Sequence, residues 1–139
     1  MRIITLSDVE YLAFRLAKEH LSFNEPIPDF STRFPNVLES CVLIPFQTFS
    51  GKALYPSLVA KASILFYLMI KNHPFQNGNK RIAITTLLVF LASNGKWIQV
   101  DAQELYNLTV WVAQSPAGFK DQVVDATQKF VRKHLVNAD

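Results

Sequence analysis

The stretch His73-Pro74-Phe75-Gln76-Asn77-Gly78-Asn79-Lys80-Arg81 gathers an imidazole, a candidate metal ligand and a cluster of anion-binding groups into nine residues. An unperturbed imidazole titrates at roughly pH 6.5, so at neutral pH it can accept a hydroxyl proton, which is general-base work. Gly78 lets backbone approach a ligand closely, Asn77 and Asn79 can donate and accept, and Lys80 with Arg81 can neutralise phosphate oxygens. A base beside an anion cradle is the minimum apparatus for moving a phosphorus-centred group onto an alcohol. Each residue also has a plain structural use. A histidine at a helix end commonly caps it, Phe75 can pin the loop by pointing into the core, and Pro74 stiffens the turn. Either asparagine can serve as a helix N-cap without losing the ability to bind a ligand. Cations at a helix start oppose its dipole by about 0.3–1 kcal/mol each, an objection that a bound anion removes.

The elements on either side decide whether such a loop is positioned. Residues 57–71 and 82–92 are strongly apolar, the first on nearly every face, and both read as central helices. The polar run is then a short loop entering a helix N-terminus at about Asn79. Such an end carries N–H groups without intrahelical acceptors and about half a positive elementary charge, which suits phosphate. Pro56 suits the first turn of the earlier helix, and Asn94-Gly95 stops the later one. Upstream, Ser7-Asp8-Val9-Glu10 reads as a capping box for an amphipathic helix over 8–20. Residues 22–34, with Pro26 and Pro28, read as loop. A short helix over 36–44 ends before Pro45, because a residue preceding proline disfavours helical geometry. Residues 47–55, with Thr48-Phe49 and Ser50-Gly51, suit an exposed loop or short hairpin. Asp101 to Glu104 can cap a helix reaching about Ala113. Ser115-Pro116 starts or precedes a last helix whose apolar face is Val123, Val124, Thr127, Phe130, Val131 and Leu135. The best strand candidate, Trp97 to Val100, is short. The expected fold is all-α: a compact helical bundle with a short flap or hairpin.

Composition narrows the class. At 139 residues, 50% hydrophobic and 18% charged, the chain suits one globular domain over 1–139 rather than a disordered tract. A net charge of +3 suits an anionic ligand but is too weak to imply nucleic acid. The one cysteine, Cys41, lies in an apolar run and has no internal disulfide partner, which favours a reducing compartment. No signal-peptide pattern is seen, and the longest uncharged apolar run falls far below the roughly 20 residues that span a bilayer. A cytoplasmic protein without membrane attachment is expected.

Residues 73–81 resemble the signature of the Fic/Doc (Fido) superfamily, H-P-F-x-[D/E]-G-N-[G/K]-R, at eight of nine positions. The likeness extends to Leu38-Glu39-Ser40, Pro45-Phe46-Gln47, Tyr55-Pro56-Ser57-Leu58 with Lys61-Ala62, and downstream to Leu87-Leu88-Val89-Phe90 with Asn94-Gly95, a pattern similar to death-on-curing proteins. It covers roughly residues 8–135. The resemblance implies the all-α Fido core. It implies that His73 is the base acting on a target side-chain hydroxyl and that Gly78, Asn79 and Lys80 form the anion hole. By the same likeness Arg81 clamps a phosphate, and the segment containing Gln47, Thr48, Phe49 and Ser50 is a flap that holds a target peptide by strand-like pairing. The family uses ATP or a related nucleotide with Mg²⁺, and most members attach AMP to a Ser, Thr or Tyr hydroxyl.

Three departures from the AMP-transferring pattern refine this. Lys80 stands in place of a glycine, and Ile84 in place of a second arginine that serves the γ-phosphate. Both changes resemble the death-on-curing branch, which transfers the γ-phosphoryl group to a translation factor, elongation factor Tu in particular. The third is Asn77, at the family's acidic Mg²⁺-coordinating position. An amide oxygen can ligate Mg²⁺ but brings no charge. Weak metal binding, a metal held mainly by nucleotide, a reduced rate and a scaffold that only binds are all open. The inhibitory pattern [S/T]-x-x-x-E-[G/N] is absent around Glu10, Glu19, Glu25, Glu39 and Glu104. The resemblance therefore implies a toxin restrained by a separate antitoxin chain, with a protein as substrate and no direct nucleic-acid partner.

Overall fold

The first helix, α1 (residues 6–20), begins two residues before the expected start at Asp8. In this computed structural model, which describes residues 1–20 and 26–138, Thr5 is the N-cap. Its Oγ1 accepts from the Asp8 N–H (3.1 Å), and Asp8 Oδ2 accepts from the Thr5 N–H (3.0 Å). Thr5-Leu6-Ser7-Asp8 thus forms the reciprocal box in place of Ser7 and Glu10, and it leaves Val9 to start the buried stripe. From Leu6–Asp8 the helix passes through a π-helical stretch, Val9–Phe14, to Arg15–His20. Residues 22–25 of the expected loop, including Glu25, lie outside the described residues.

A 3₁₀ turn, Phe30–Thr32, precedes α2, Pro35–Leu43. The proline occupies the first turn of α2, so the helix opens one residue earlier than expected. A second 3₁₀ turn, Ile44–Phe46, carries the chain through Pro45 into the hairpin β1, Thr48–Phe49, and β2, Lys52–Ala53. Thr48 pairs with Ala53 and Phe49 with Lys52. Ser50 and Gly51 both have positive φ, 52° and 77°, the requirement of a two-residue turn whose twist matches its strands.

Helix α3, Leu58–Lys71, is capped by Ser57, whose hydroxyl accepts from the Ala60 N–H (3.0 Å). Pro56 therefore precedes the cap instead of lying in the first turn. Every residue of α3 from 60 to 70 is buried. Helix α4, Asn79–Ser93, packs against it, with Ile82, Leu87, Phe90 and Leu91 fully buried. These two helices form the centre, as their apolar sequences require. Strand β3, Lys96–Ile98, follows, then α5, Ala102–Gln114, a 3₁₀ turn, Ala117–Phe119, and α6, Lys120–His134.

The chain then forms β4, Leu135–Asn137, antiparallel to β3. Leu135 is consequently a strand residue, not the last position of a helical stripe. The pairing partner lies nearly forty residues upstream, and three residues of sequence carry too little pattern to reveal it. The architecture is a helical bundle with two small antiparallel ribbons. Among the described residues no helix is long and apolar enough to cross a membrane.

Candidate active site

The loop between α3 and α4 is held from inside by one ring and one amide. Phe75 is 1% exposed and packs against Phe14 of α1 (centroids 5.6 Å) and Phe30 (5.9 Å), which themselves meet edge-on at 5.2 Å. Burying a side chain of this size is worth about 1.5–3 kcal/mol, enough to fix the loop on the bundle. The buried Asn79 side chain then closes the backbone around it. Its Oδ1 accepts from the Phe75 N–H (3.0 Å), and its Nδ2 donates to the Phe75 carbonyl (2.9 Å). The Asn79 amide is therefore engaged within the loop. What the residue offers a ligand is its place at the first turn of α4.

His73 follows Asn72, the C-cap of α3, in the left-handed region at φ 49°. A non-glycine residue there carries some strain, tolerated where surrounding structure over-determines it. The turn leaves the imidazole exposed, while Pro74 and Phe75 go inward. His73 borders a cleft of about 320 Å³ together with Ile70, Gln76, Asn77, Asn79, Lys80 and Ala113. The structure thus brings His73, Asn77, Asn79 and Lys80 around one space at the N-terminus of α4.

Gly78 and Arg81 lie behind that space. Gly78 is the N-cap of α4 at φ 74°, buried against the 26–27 segment. A Cβ there would stand 2.5 Å from Ile27 Cδ1 and 3.2 Å from the Pro26 carbonyl oxygen. Gly78→Ala is expected to lower stability by about 1–3 kcal/mol through left-handed strain and this crowding, read as a shift of the urea midpoint. An unchanged midpoint would contradict the close fit.

Arg81 is 7% exposed, and among its interactions Nη2 donates to the Ala17 carbonyl of α1 (2.5 Å). One turn on, Thr85 Oγ1 donates to the Ala13 carbonyl (2.7 Å). Side chains of α4 thus meet carbonyls of α1 at two successive turns, Thr85 within the π-helical stretch and Arg81 beyond it, which ties Arg81 to α1 as well as to its own helix.

Asn77 is exposed, and its Oδ1 accepts from the Gly78 N–H (2.8 Å). The side chain is neutral, its oxygen already serves the loop, and no group of three or more His, Cys, Asp or Glu among the described residues could hold a metal ion. The donor set does not fit a Mg²⁺ held by protein carboxylates, and a divalent cation here would depend on nucleotide phosphates for its charge partners. Of the expected flap, Gln47 precedes the exposed hairpin and Thr48, Phe49 and Ser50 lie in it, and none of the four lines the cleft.

Two contributors were not read from the sequence. Ala113, at the end of α5, walls the cleft, and Lys71 fixes that wall by donating to the carbonyls of Ser115 (2.5 Å) and Ala113 (3.4 Å). An alanine carries no chemical signal, and Lys71 reads as an ordinary helix-end cation. Cys41 is core. Burial pushes its thiol up to about 11 despite a side-chain hydrogen bond with Asn72, so it stays a neutral thiol at neutral pH.

A larger groove of about 590 Å³ lies between α1 and α4, bordered by Tyr11, Leu12, Arg15 and Val89. No histidine is among its lining residues, so the smaller cleft is the chemical candidate. The comparison with known families decides the kinship. The model of the Fic/DOC family matches residues 3–91, more than half of the chain, including α3, the loop and all but the last two residues of α4.

The chain belongs to the Fic/DOC family.

Toxin Doc of Mycolicibacterium smegmatis is 32% identical over 84 residues, which cover 57% of this chain and 65% of that protein. The chain therefore spans just under two thirds of that relative's length. No solved structure matches it. The loop described above, with Asn77, lies within the matched residues.

Proposed function

We propose that this Fic/DOC protein is a toxin that transfers a phosphoryl group from ATP to a hydroxyl of a target protein, a translation factor of the elongation factor Tu kind, and that a separate antitoxin chain restrains it. The observation that carries the reading is one juxtaposition: the exposed His73 imidazole and Lys80 border the same cleft at the N-terminus of α4. In this reading His73 removes the proton from the incoming hydroxyl as its oxygen attacks phosphorus. Backbone N–H groups of the first turn of α4, with Lys80, receive the phosphate charge, and Arg81 supports it from the α1 side. The hydroxyl oxygen gains the phosphoryl group, ADP leaves, and the imidazole holds the proton.

Support for γ-phosphoryl over AMP transfer comes from Lys80 and Ile84. Ile84 is buried in the core, so its position gives the nucleotide no second arginine. The likeness to a protein named Toxin Doc supports the toxin role. Label position tests the reaction: label from the γ-phosphate of ATP should reach the acceptor protein, and label from the α-phosphate should not. Transfer of α-label overturns phosphorylation in favour of AMP transfer.

Asn77→Asp is expected to lower the Mg²⁺ concentration for half-maximal label transfer by about tenfold, the effect of one added carboxylate near the ion. A Mg²⁺ titration checks it. An unchanged midpoint would mean that position 77 does not face the metal. Activity appearing only in the aspartate variant would mean that the natural chain is a binding module.

A further inference from the structure

Lys61 is a buried cation for which the chemistry above has no use. It lies early in α3 and is 8% exposed. Among the described residues no carboxylate stands within ion-pair distance of it. A buried ammonium without a counter-ion is costly, and an apolar side chain would fill the same place more cheaply. Its two partners explain why it is there. The ammonium donates to the backbone carbonyl of Tyr55, just after the β1–β2 hairpin. It also stands over the ring of Phe46, just before the hairpin, 5.9 Å from the centroid. One charge therefore holds both stems.

We infer that Lys61 is the positioning residue of the β1–β2 hairpin, stapling its two stems to α3 so that the exposed strand edge is ordered before a protein substrate arrives. The hairpin needs such support. It has two residues per strand, all of them exposed, and beyond its own pairing the Leu54 N–H donates to the Gln47 carbonyl (3.1 Å). A ribbon of this size is marginal alone in water. Phe46 continues the link, meeting Phe90 of α4 edge-on at 5.7 Å. The staple thus runs from hairpin to α3 through the ammonium, and to α4 through the ring. An ordered edge lowers the entropy cost of pairing with an extended segment of the substrate. The ordering stands on geometry alone, whereas its use in substrate capture rests on the proposed transferase reading.

Hydrogen exchange of the full chain, with Lys61→Met, Lys61→Arg and Phe46→Leu, tests the ordering. In Lys61→Met the hairpin amides, Leu54 among them, should exchange about tenfold faster, while amides of α4 such as Ile82 stay within about twofold of wild type. Lys61→Arg should restore most of the protection, and Phe46→Leu, which removes only the ring, should give an acceleration of about threefold. Hairpin exchange at the wild-type rate in Lys61→Met overturns the inference, as does equal acceleration in α4, which would make Lys61 a general core residue. In the label-transfer assay, KM for the acceptor protein should rise about tenfold in Lys61→Met, with kcat and KM for ATP within about threefold. Faster hairpin exchange with an unchanged acceptor KM overturns the capture role and leaves the staple. Absence of label transfer in the wild type overturns the transferase reading, and exchange still decides the staple.

Discussion

Replacing His73 by alanine is expected to reduce γ-label transfer by about 10²–10⁴-fold, the usual contribution of a positioned general base. Growth arrest on expression should disappear with it. The side chain is exposed, so little packing is lost and the variant should remain folded. The backbone at φ 49° suits asparagine better than alanine. His73→Asn therefore serves as the control: it relieves the strain, cannot act as a base at neutral pH, and should show the same loss. Toxicity that survives either substitution would end the catalytic account of this cleft. Activity that falls only in the alanine variant would assign His73 a conformational role.

The second large effect is expected at Asn79. Alanine there leaves both the N–H and the carbonyl of the buried Phe75 without their partner. Each unsatisfied buried group costs about 1–3 kcal/mol, so Asn79→Ala should lose about 2–6 kcal/mol of stability in urea denaturation. Asn79→Asp, nearly the same volume, should lose at least as much at neutral pH, because one carboxylate oxygen would face the Phe75 carbonyl oxygen. A small loss in both variants would show that Phe75 alone fixes the loop. Transfer should fall in step, since the same lock sets where His73 stands relative to the first turn of α4.

The staple at Lys61 lies early in α3 and the lock at Asn79 follows its other end, and in the proposed reading they serve different substrates. Asn79 shapes the loop proposed to meet the nucleotide, and Lys61 orders the hairpin proposed to meet the protein. The two effects should therefore separate in kinetics. Loop variants should alter kcat with both substrates, while hairpin variants should act on KM for the acceptor. The neutral Asn77, whose oxygen serves the Gly78 N–H, adds a third separable variable in the Mg²⁺ dependence.

Much of this was legible because it depends on short-range rules. The all-round apolar character of residues 60–70 requires a central helix, and Asn94-Gly95 requires the stop that Gly95 makes at φ 74°. The spacing of the polar run between two apolar segments places it at a helix N-terminus. Ser50-Gly51 marks the hairpin turn. Local errors came where two caps competed. Thr5-Leu6-Ser7-Asp8 and Ser7-Asp8-Val9-Glu10 both have the spacing of a capping box, and burial of Val9 favours the first.

Residue types and their order along the chain determined that an imidazole and a helix N-terminus must be neighbours, since only a seven-residue loop separates α3 from α4. They also determined the family, through the signature segment. Tertiary structure alone decided which atoms face the cleft. Arg81 reaches back to α1, the Asn79 amide turns into its own loop, Ala113 arrives from α5, and β4 finds β3. The physical reason is common to all four. Each depends on a partner many residues away or on the direction of a side chain in a packed interior, and neither quantity has a local period or spacing to announce it.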